Sequence, residues 1–249
     1  MKAVILAAGI GSRLAPLTND RPKALVEVAG TSFLVRQLAM LAAAGIPSCD
    51  VIVVGGYKLD VLRQELARRG HDCTVVCNDH FEAWNNFYSV AVARDALADD
   101  DFLQLDGDVL LDDKILPRML ATSGDALLAV DCRPDLDDET MKVELRPGTD
   151  TVLAISKQLD PRRCVGEYIG VTKLSAAAAR HVFAELALFP ELQLTHEYYE
   201  KAFDRLTGSE RVPFRIVDVH DCTLLEIDTV EDLERAEALL RVHAAPAAT

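Results

Sequence analysis

The sequence predicts an α/β protein, a Rossmann-like, mostly parallel mixed sheet flanked by helices with a small inserted β-rich lobe. Three observations predict it. Apolar runs of strand length alternate with amphipathic helical stretches through the first half of the chain. The first run, Val4–Ala8, ends in small residues and passes straight into Gly9-Ile-Gly11. A later run, Phe102–Leu105, delivers Asp106-Gly107-Asp108 at its carboxyl end, the edge where such sheets bind ligands.

The elements follow in order. After the glycine turn, Phe33–Leu41 has helical apolar spacing and stops at Gly45 with Pro47 beyond. Val51–Val54 reads as a second buried strand, Leu59–Leu66 as a short amphipathic helix and Thr74–Cys77 as a third strand. Ser89–Leu97 is predicted helical, Lys114–Ala121 likewise, and Ala126–Val130 a strand. The pattern then changes. Met141–Leu145 and Val152–Lys157 read as hairpin strands around Pro147-Gly148, followed by a strand at Tyr168–Thr172. Ser175 and Thr195 are placed to cap helices Ala176–Leu188 and His196–Leu206. Phe214–Val219 and Thr223–Ile227 complete the strands, and the capping box Thr229–Asp232 opens a last helix to Val242. One domain over 1–243 is expected, its inserted ligand lobe within 132–210 and its tail, 244–249, frayed.

A chain of 249 residues, 50% hydrophobic, can bury a sizeable core. Its net charge of -14 argues against a nucleic-acid surface, which requires a basic patch. An anionic ligand must be held by local Lys, Arg and backbone dipoles, or by a metal. No apolar run is long enough to span a bilayer, and Val4–Ala8 is too short for a secretory leader. Six scattered cysteines without a Cys-x-x-Cys pair predict buried free thiols and a cytoplasmic setting.

The candidate chemistry lies in two places. Glycines at 9 and 11 let the backbone N–H groups approach an anion, and Arg13 and Lys23 add charge beside them. The turn lacks the Gly-Lys-Ser/Thr ending of a P-loop. Asp106 and Asp108 are spaced to share one face of a strand end, and Glu226 and Asp228 repeat that spacing late in the chain. Each pair alone also fits a simpler role, a turn cap for the first and the approach to the Thr229 cap for the second. Together they read as opposite sides of one oxygen-lined site suited to Mg²⁺.

Leu6-Ala-Ala-Gly-x-Gly-x-Arg13, Pro16-Leu-Thr18, Pro22-Lys23, the Asp106-Gly-Asp108 strand end and the late Glu-x-Asp resemble the nucleotidyltransferase fold of sugar-1-phosphate and phospho-alcohol enzymes. Asn85-Asn-Phe-Tyr-Ser89 and Gly166-Glu-Tyr-Ile-Gly-Val-Thr-Lys173 are similar to a narrower branch, the cytidylyltransferases acting on phosphocholine, inositol-1-phosphate and 2-aminoethylphosphonate. The resemblance implies CTP as donor, a small phosphate or phosphonate as acceptor, Mg²⁺ as cofactor, and a monomer or homodimer. It implies Lys23, Arg13 and Asp108 as catalytic residues. Leu6, Ala7, Ala8, Gly9, Gly11, Ser12, Arg13, Lys23, Asn85, Asn86, Ser89 and Asp106 would hold the nucleotide. Asp108 and Asp228 would hold the metal, helped by Asp106 and Glu226, and Lys142, Lys157, Glu167 and Glu197 would meet the acceptor.

Several of these keep plainer alternatives: Asn85, Asn86 and Ser89 as a helix-capping turn, either lysine as a solvent-facing hairpin residue, Glu167 as a partner of Arg162 or Arg163, and Glu197 as a helix-start acid. Leu224-Leu225 stand where phosphocholine-type relatives often carry an aromatic residue. Two rival functions remain: a sugar-1-phosphate transferase using UTP or dTTP, and a non-catalytic nucleotide-sensing module on the same fold.

Overall fold

The computed structural model describes the backbone of residues 1–97, 99–133 and 135–244, and side chains as far as 240; the expected frayed tail lies outside it beyond Ala244. The amino-terminal half runs β1 (Lys2–Ala7), β2 (Glu27–Val28), β3 (Thr31–Ser32), α1 (Phe33–Ala43), β4 (Val51–Gly55), α2 (Leu59–Arg68) and β5 (Thr74–Cys77). There follow α3 (Phe87–Val92), α4 (Arg94–Leu97), β6 (Phe102–Asp106), β7 (Val109–Leu111), α5 (Ile115–Ala121) and β8 (Ala126–Asp131). The remainder comprises β9 (Lys142–Leu145), β10 (Val152–Ser156), β11 (Gly166–Leu174), α6 (Ala176–Ala187), α7 (Glu200–Gly208), β12 (Arg215–Asp218), β13 (Leu224–Glu226) and α8 (Val230–Ala244).

One mixed sheet of nine strands carries the fold, with the path β10-β9-β11-β6-β1-β4-β5 and with β8 and β12 joined through β11. The central strand β1 is parallel to both neighbours, Ala7 level with Gly55 and Leu6 level with Asp106. That register brings the glycine turn after β1 and the acidic end of β6 to the same edge. Successive residues of β1 feed opposite faces. Val4 packs in the core under α3 and α6, while Ala3 and Ile5 pack with α1, α2 and α5. A strand buried on both sides needs an unbroken apolar run, which is why Val4–Ala7 shows no polar alternation.

A third, smaller core of Leu14, Val26, Val28, Phe33, Leu110, Ile227 and Ala236 joins the glycine segment, β7, β13 and α8. It includes the two-stranded ribbon in which Val109 faces Glu226 and Leu111 faces Leu224. The strand expected near Thr223–Ile227 forms, and it lies outside the main sheet: it pairs with β7, a strand too short to be read from its own residues.

Two helices also differ from expectation. Ser89–Leu97 divides into α3 and α4 on either side of Ala93. The helix expected from His196 begins at Glu200, because tertiary bonds hold the preceding residues in a loop. The Asn85 N–H and Nδ2 donate to the carbonyls of Thr195 and His196, and Asn86 Oδ1 accepts from the Tyr199 N–H. The caps at Ser175 and Thr229 form as expected, with Asp232 and Thr229 bonded reciprocally. The six cysteines are free, but only Cys222 is buried, and Cys49 and Cys77 are exposed. Both exposed thiols sit at element ends, in a turn before β4 and at the end of edge strand β5. Among the described residues, no helix is long and apolar enough to cross a membrane.

Candidate active site

The turn after β1 has two close approaches that admit no side chain. Gly11 takes φ +68°, and a Cβ there would lie 2.8 Å from Cβ of Lys23. Gly107 passes beside the end of β1, where a Cβ would lie 2.4 Å from the Leu6 carbonyl oxygen. These contacts seat Lys23 against the glycine turn and set Asp108 beside both. Thr18 fastens the turn by donating its hydroxyl to the Gly11 carbonyl at 2.9 Å.

Lys23 is 8% exposed, and its ammonium donates to Asp108 Oδ2 and Asp228 Oδ1, each at 2.6 Å. Burial would lower its pKa, but the two carboxylates outweigh that and hold it above the ordinary lysine value. Arg13 Nη2 reaches the other oxygen of Asp228 at 2.7 Å. Glu226 completes an acidic trio: Asp108, Glu226 and Asp228 each offer an oxygen within 4.8 Å of the others. Burial, then the like charges of Asp108 and Asp228, push Glu226 up to about 7; because the residue keeps an exposed surface, the like charges are the firmer cause. The ribbon of β7 and β13 sets this convergence, since Asp108 and Asp228 flank its paired strands. An all-oxygen donor set of this kind fits a hard divalent cation such as Mg²⁺.

Asp106 is placed differently from the expectation that it would share this cation. Its carboxylate accepts from the Tyr199 hydroxyl at 2.9 Å and stands apart from the trio. Tyr199 in turn bonds Tyr168, which bonds Thr172, so Asp106 ends a buried polar chain. Burial, then the charges of Glu200 and Asp108, raise its pKa well above the carboxylate range. Glu200 itself is buried, one of its oxygens has no partner, and burial pushes it up to about 7. Sequence reasoning named Glu197 and missed Glu200. Glu197 is exposed and precedes the helix, whereas the spacing of Glu200, Phe203 and Thr207 on one face of α7 was the available signal.

The other expected contacts divide. Leu6, Ala7, Ala8, Gly9 and Ser12 lie along the end of β1 and its turn. Ser89 is a correction: it is buried, and its hydroxyl is taken up by the Asn78 carboxamide. Asn85 and Asn86 are corrected in part, since each carboxamide clamps the 195–199 loop. Lys142 is also corrected. It is 1% exposed and donates to the carbonyls of Lys157 and Thr140, tying its own hairpin together. Lys157 stays half-buried, 3.3 Å from Glu139 and over the Tyr198 ring. Glu167 has no ion pair among the described residues, because Arg162 pairs with Asp160 and Arg163 with Glu144. Burial, then Asp131 and Asp137, raise the Glu167 pKa, while Lys157 opposes the rise at both Glu167 and Glu200.

Comparison with known proteins identifies the family and the fold. The profile of the MobA-like NTP transferase domain matches residues 3–187. The chain is similar to the CMP-5'-(3-aminopropyl)phosphonate synthase of Streptomyces rubellomurinus, with 31% identity over 95% of this chain and 38% of that protein. It is similar to the choline-phosphate cytidylyltransferase of Streptococcus pneumoniae, with 38% identity over 43% of this chain and 44% of that one. The matches thus span less than half the length of either relative. Among solved structures, the inositol-1-phosphate CTP transferase from T. maritima shares the fold at a TM-score of 0.78 and 21% identity, covering 99% of this chain and 98% of its own.

Proposed function

The chain belongs to the MobA-like NTP transferase family, and from that premise we propose that it is a Mg²⁺-dependent cytidylyltransferase. It moves CMP from CTP to a small phosphate- or phosphonate-bearing acceptor and releases pyrophosphate. The observation that carries the reading is the convergence of Lys23, Arg13 and three carboxylates from two distant segments beside the glycine turn. The choice of CTP is supported by relatives whose names specify CMP or choline-phosphate cytidylyl transfer.

An acceptor phosphate or phosphonate is already anionic at neutral pH, so one of its oxygens attacks the α-phosphorus without a general base. The new O–P bond forms as the bond to pyrophosphate breaks, and the leaving group carries away the electron pair. The chain's part is positioning and charge neutralisation. The turn from Ala8 to Arg13 holds the β- and γ-phosphates with backbone N–H groups. Lys23 stabilises the charge growing on the α-phosphate, a role worth about 3 kcal/mol. Asp108, Glu226 and Asp228 would hold Mg²⁺, which supplies Lewis-acid neutralisation of the phosphate oxygens when bound. Lys157 beside Glu167 and Glu200 supports an acceptor bearing both an anionic and a cationic end. The segment 1–243 acts as one domain with its acceptor lobe within 132–210, in a cytoplasmic protein.

Pyrophosphate release from CTP, UTP and dTTP, each with phosphocholine, 2-aminoethylphosphonate, inositol-1-phosphate and glucose-1-phosphate, tests the proposal. CTP with an aminated acceptor is expected to lead. A preference for UTP or dTTP with glucose-1-phosphate would overturn it.

A further inference from the structure

Residues of α1, β7 and α8 border a half-open cavity of about 1090 Å³. Its walls are mainly apolar, with Val35, Met40, Ala43, Leu111 and Leu240 among them. Two polar groups in it lack partners. Arg36 donates through Nη2 to the Val28 carbonyl at 2.6 Å, but its Nε is buried without a partner, and no carboxylate pairs with it among the described residues. Gln37 is 1% exposed, and its Oε1 has no donor. Both atoms are shielded from solvent, so a ligand in the cavity meets the rest of the Arg36 side chain that lines it. The acids at the rim are largely engaged: Asp112 accepts from the N–H groups of Lys114 and Thr223, and Asp221 is paired with Arg118. Asp113 also lines the rim, and its charge reaches Arg36 without forming an ion pair.

We propose that this cavity is a second ligand site, built for a small amphipathic anion whose acid group meets Arg36 and whose apolar body lies on α1 and β7. Its volume suits a ligand of drug-like or nucleotide size. The site is wired to the crevice through Gln37, whose Nε2 donates to the carbonyls of Asp106 and Val109 at 2.7 and 3.3 Å. Those carbonyls flank Gly107-Asp108, and Val109 pairs with Glu226. Occupancy therefore changes the affinity of the acidic trio for a divalent cation. This coupling rests on the metal reading above, whereas the binding itself does not.

The probe is 1-anilinonaphthalene-8-sulfonate, an apolar body with one anionic group, and its uncharged analogue is N-phenyl-1-naphthylamine. Fluorescence titration of the full chain is expected to show one saturable sulfonate site. Arg36→Met should weaken it about tenfold, the equivalent of one charge-assisted hydrogen bond, and leave the uncharged analogue unaffected. Met40→Trp, or Ala43→Trp if the first fails to fold, should fill the cavity and abolish both. Calorimetric Mg²⁺ titration with and without the sulfonate reads the coupling. Equal sulfonate affinity in wild type and Arg36→Met, or a signal that falls as rising protein concentration covers the cavity with a second copy, would overturn the site. Detectable Mg²⁺ binding with an affinity indifferent to the sulfonate would overturn the coupling, while absence of Mg²⁺ binding altogether would count against the metal reading and leave the binding result to decide the site.

Discussion

The Lys23 ammonium lies 2.6 Å from Asp228, a contact between residues 205 positions apart in sequence. The same nitrogen is 2.6 Å from Asp108, so one lysine holds together two acids that would otherwise repel. An ammonium and a divalent cation therefore compete for the same carboxylates. In the proposed reaction, binding of the second would free Lys23 to turn to a phosphate.

Lys23→Met tests this directly. Without added metal, the variant should lose about 1–3 kcal/mol of stability, since two partly buried carboxylates are left facing each other. Millimolar Mg²⁺ should restore much of the loss in a thermal melt. Turnover, measured as pyrophosphate release, should fall about a hundredfold and stay low with metal present.

The acids are expected to separate by role. Asp108→Asn and Asp228→Asn should each weaken Mg²⁺ binding by tenfold or more, at roughly 1.4 kcal/mol per decade. Asp106→Asn should leave Mg²⁺ affinity within about twofold, because that carboxyl is spent on Tyr199. Calorimetric titration of the three variants checks the distinction; an equal loss in all three would place Asp106 back among the ligands.

Stability should fall as pH rises from 5 to 8, in part through Glu200. Its folded pKa, about 7, exceeds the ordinary glutamate value, so the folded state holds the proton more tightly than the unfolded one. The stabilisation is complete below about pH 4.5 and is lost as pH climbs through about 7. Glu200→Gln should flatten that slope in melts across the range. An unchanged slope would assign the pH dependence to other groups.

Acceptor recognition should divide between two side chains. Glu167→Gln is expected to raise KM about tenfold for 2-aminoethylphosphonate and leave inositol-1-phosphate nearly unaffected, since only the former carries an ammonium. Lys157→Met should raise KM for both. Steady-state kinetics with the two acceptors reads the split, and parallel changes in both variants would remove Glu167 from the acceptor's cationic end.

Local chemistry was legible in the sequence wherever it was written in adjacent residues. The glycine turn, the alternating strands and helices of the first half, the caps at Ser175 and Thr229, and both acidic pairs follow from short-range pattern. What was not legible depends on distant partners. Val109–Leu111 is too short to announce a strand, and only Leu224–Glu226 makes it one. His196 looks like a helix start until Asn85 claims its carbonyl. Lys142 reads as a solvent-facing or ligand lysine because nothing nearby in sequence predicts that two carbonyls will enclose it. Asp106 and Asp108 share a spacing, yet Tyr199 draws one carboxylate away from the other.

The short ribbon of β7 and β13 makes the acidic cluster depend on the end of the chain. A chain cut before Leu224 would still contain every strand of the nine-stranded sheet and the glycine turn, yet only one carboxylate of the trio. On the proposed reading, such a fragment would have no complete cation clamp, because the ladder that sets Glu226 against Val109 would be missing.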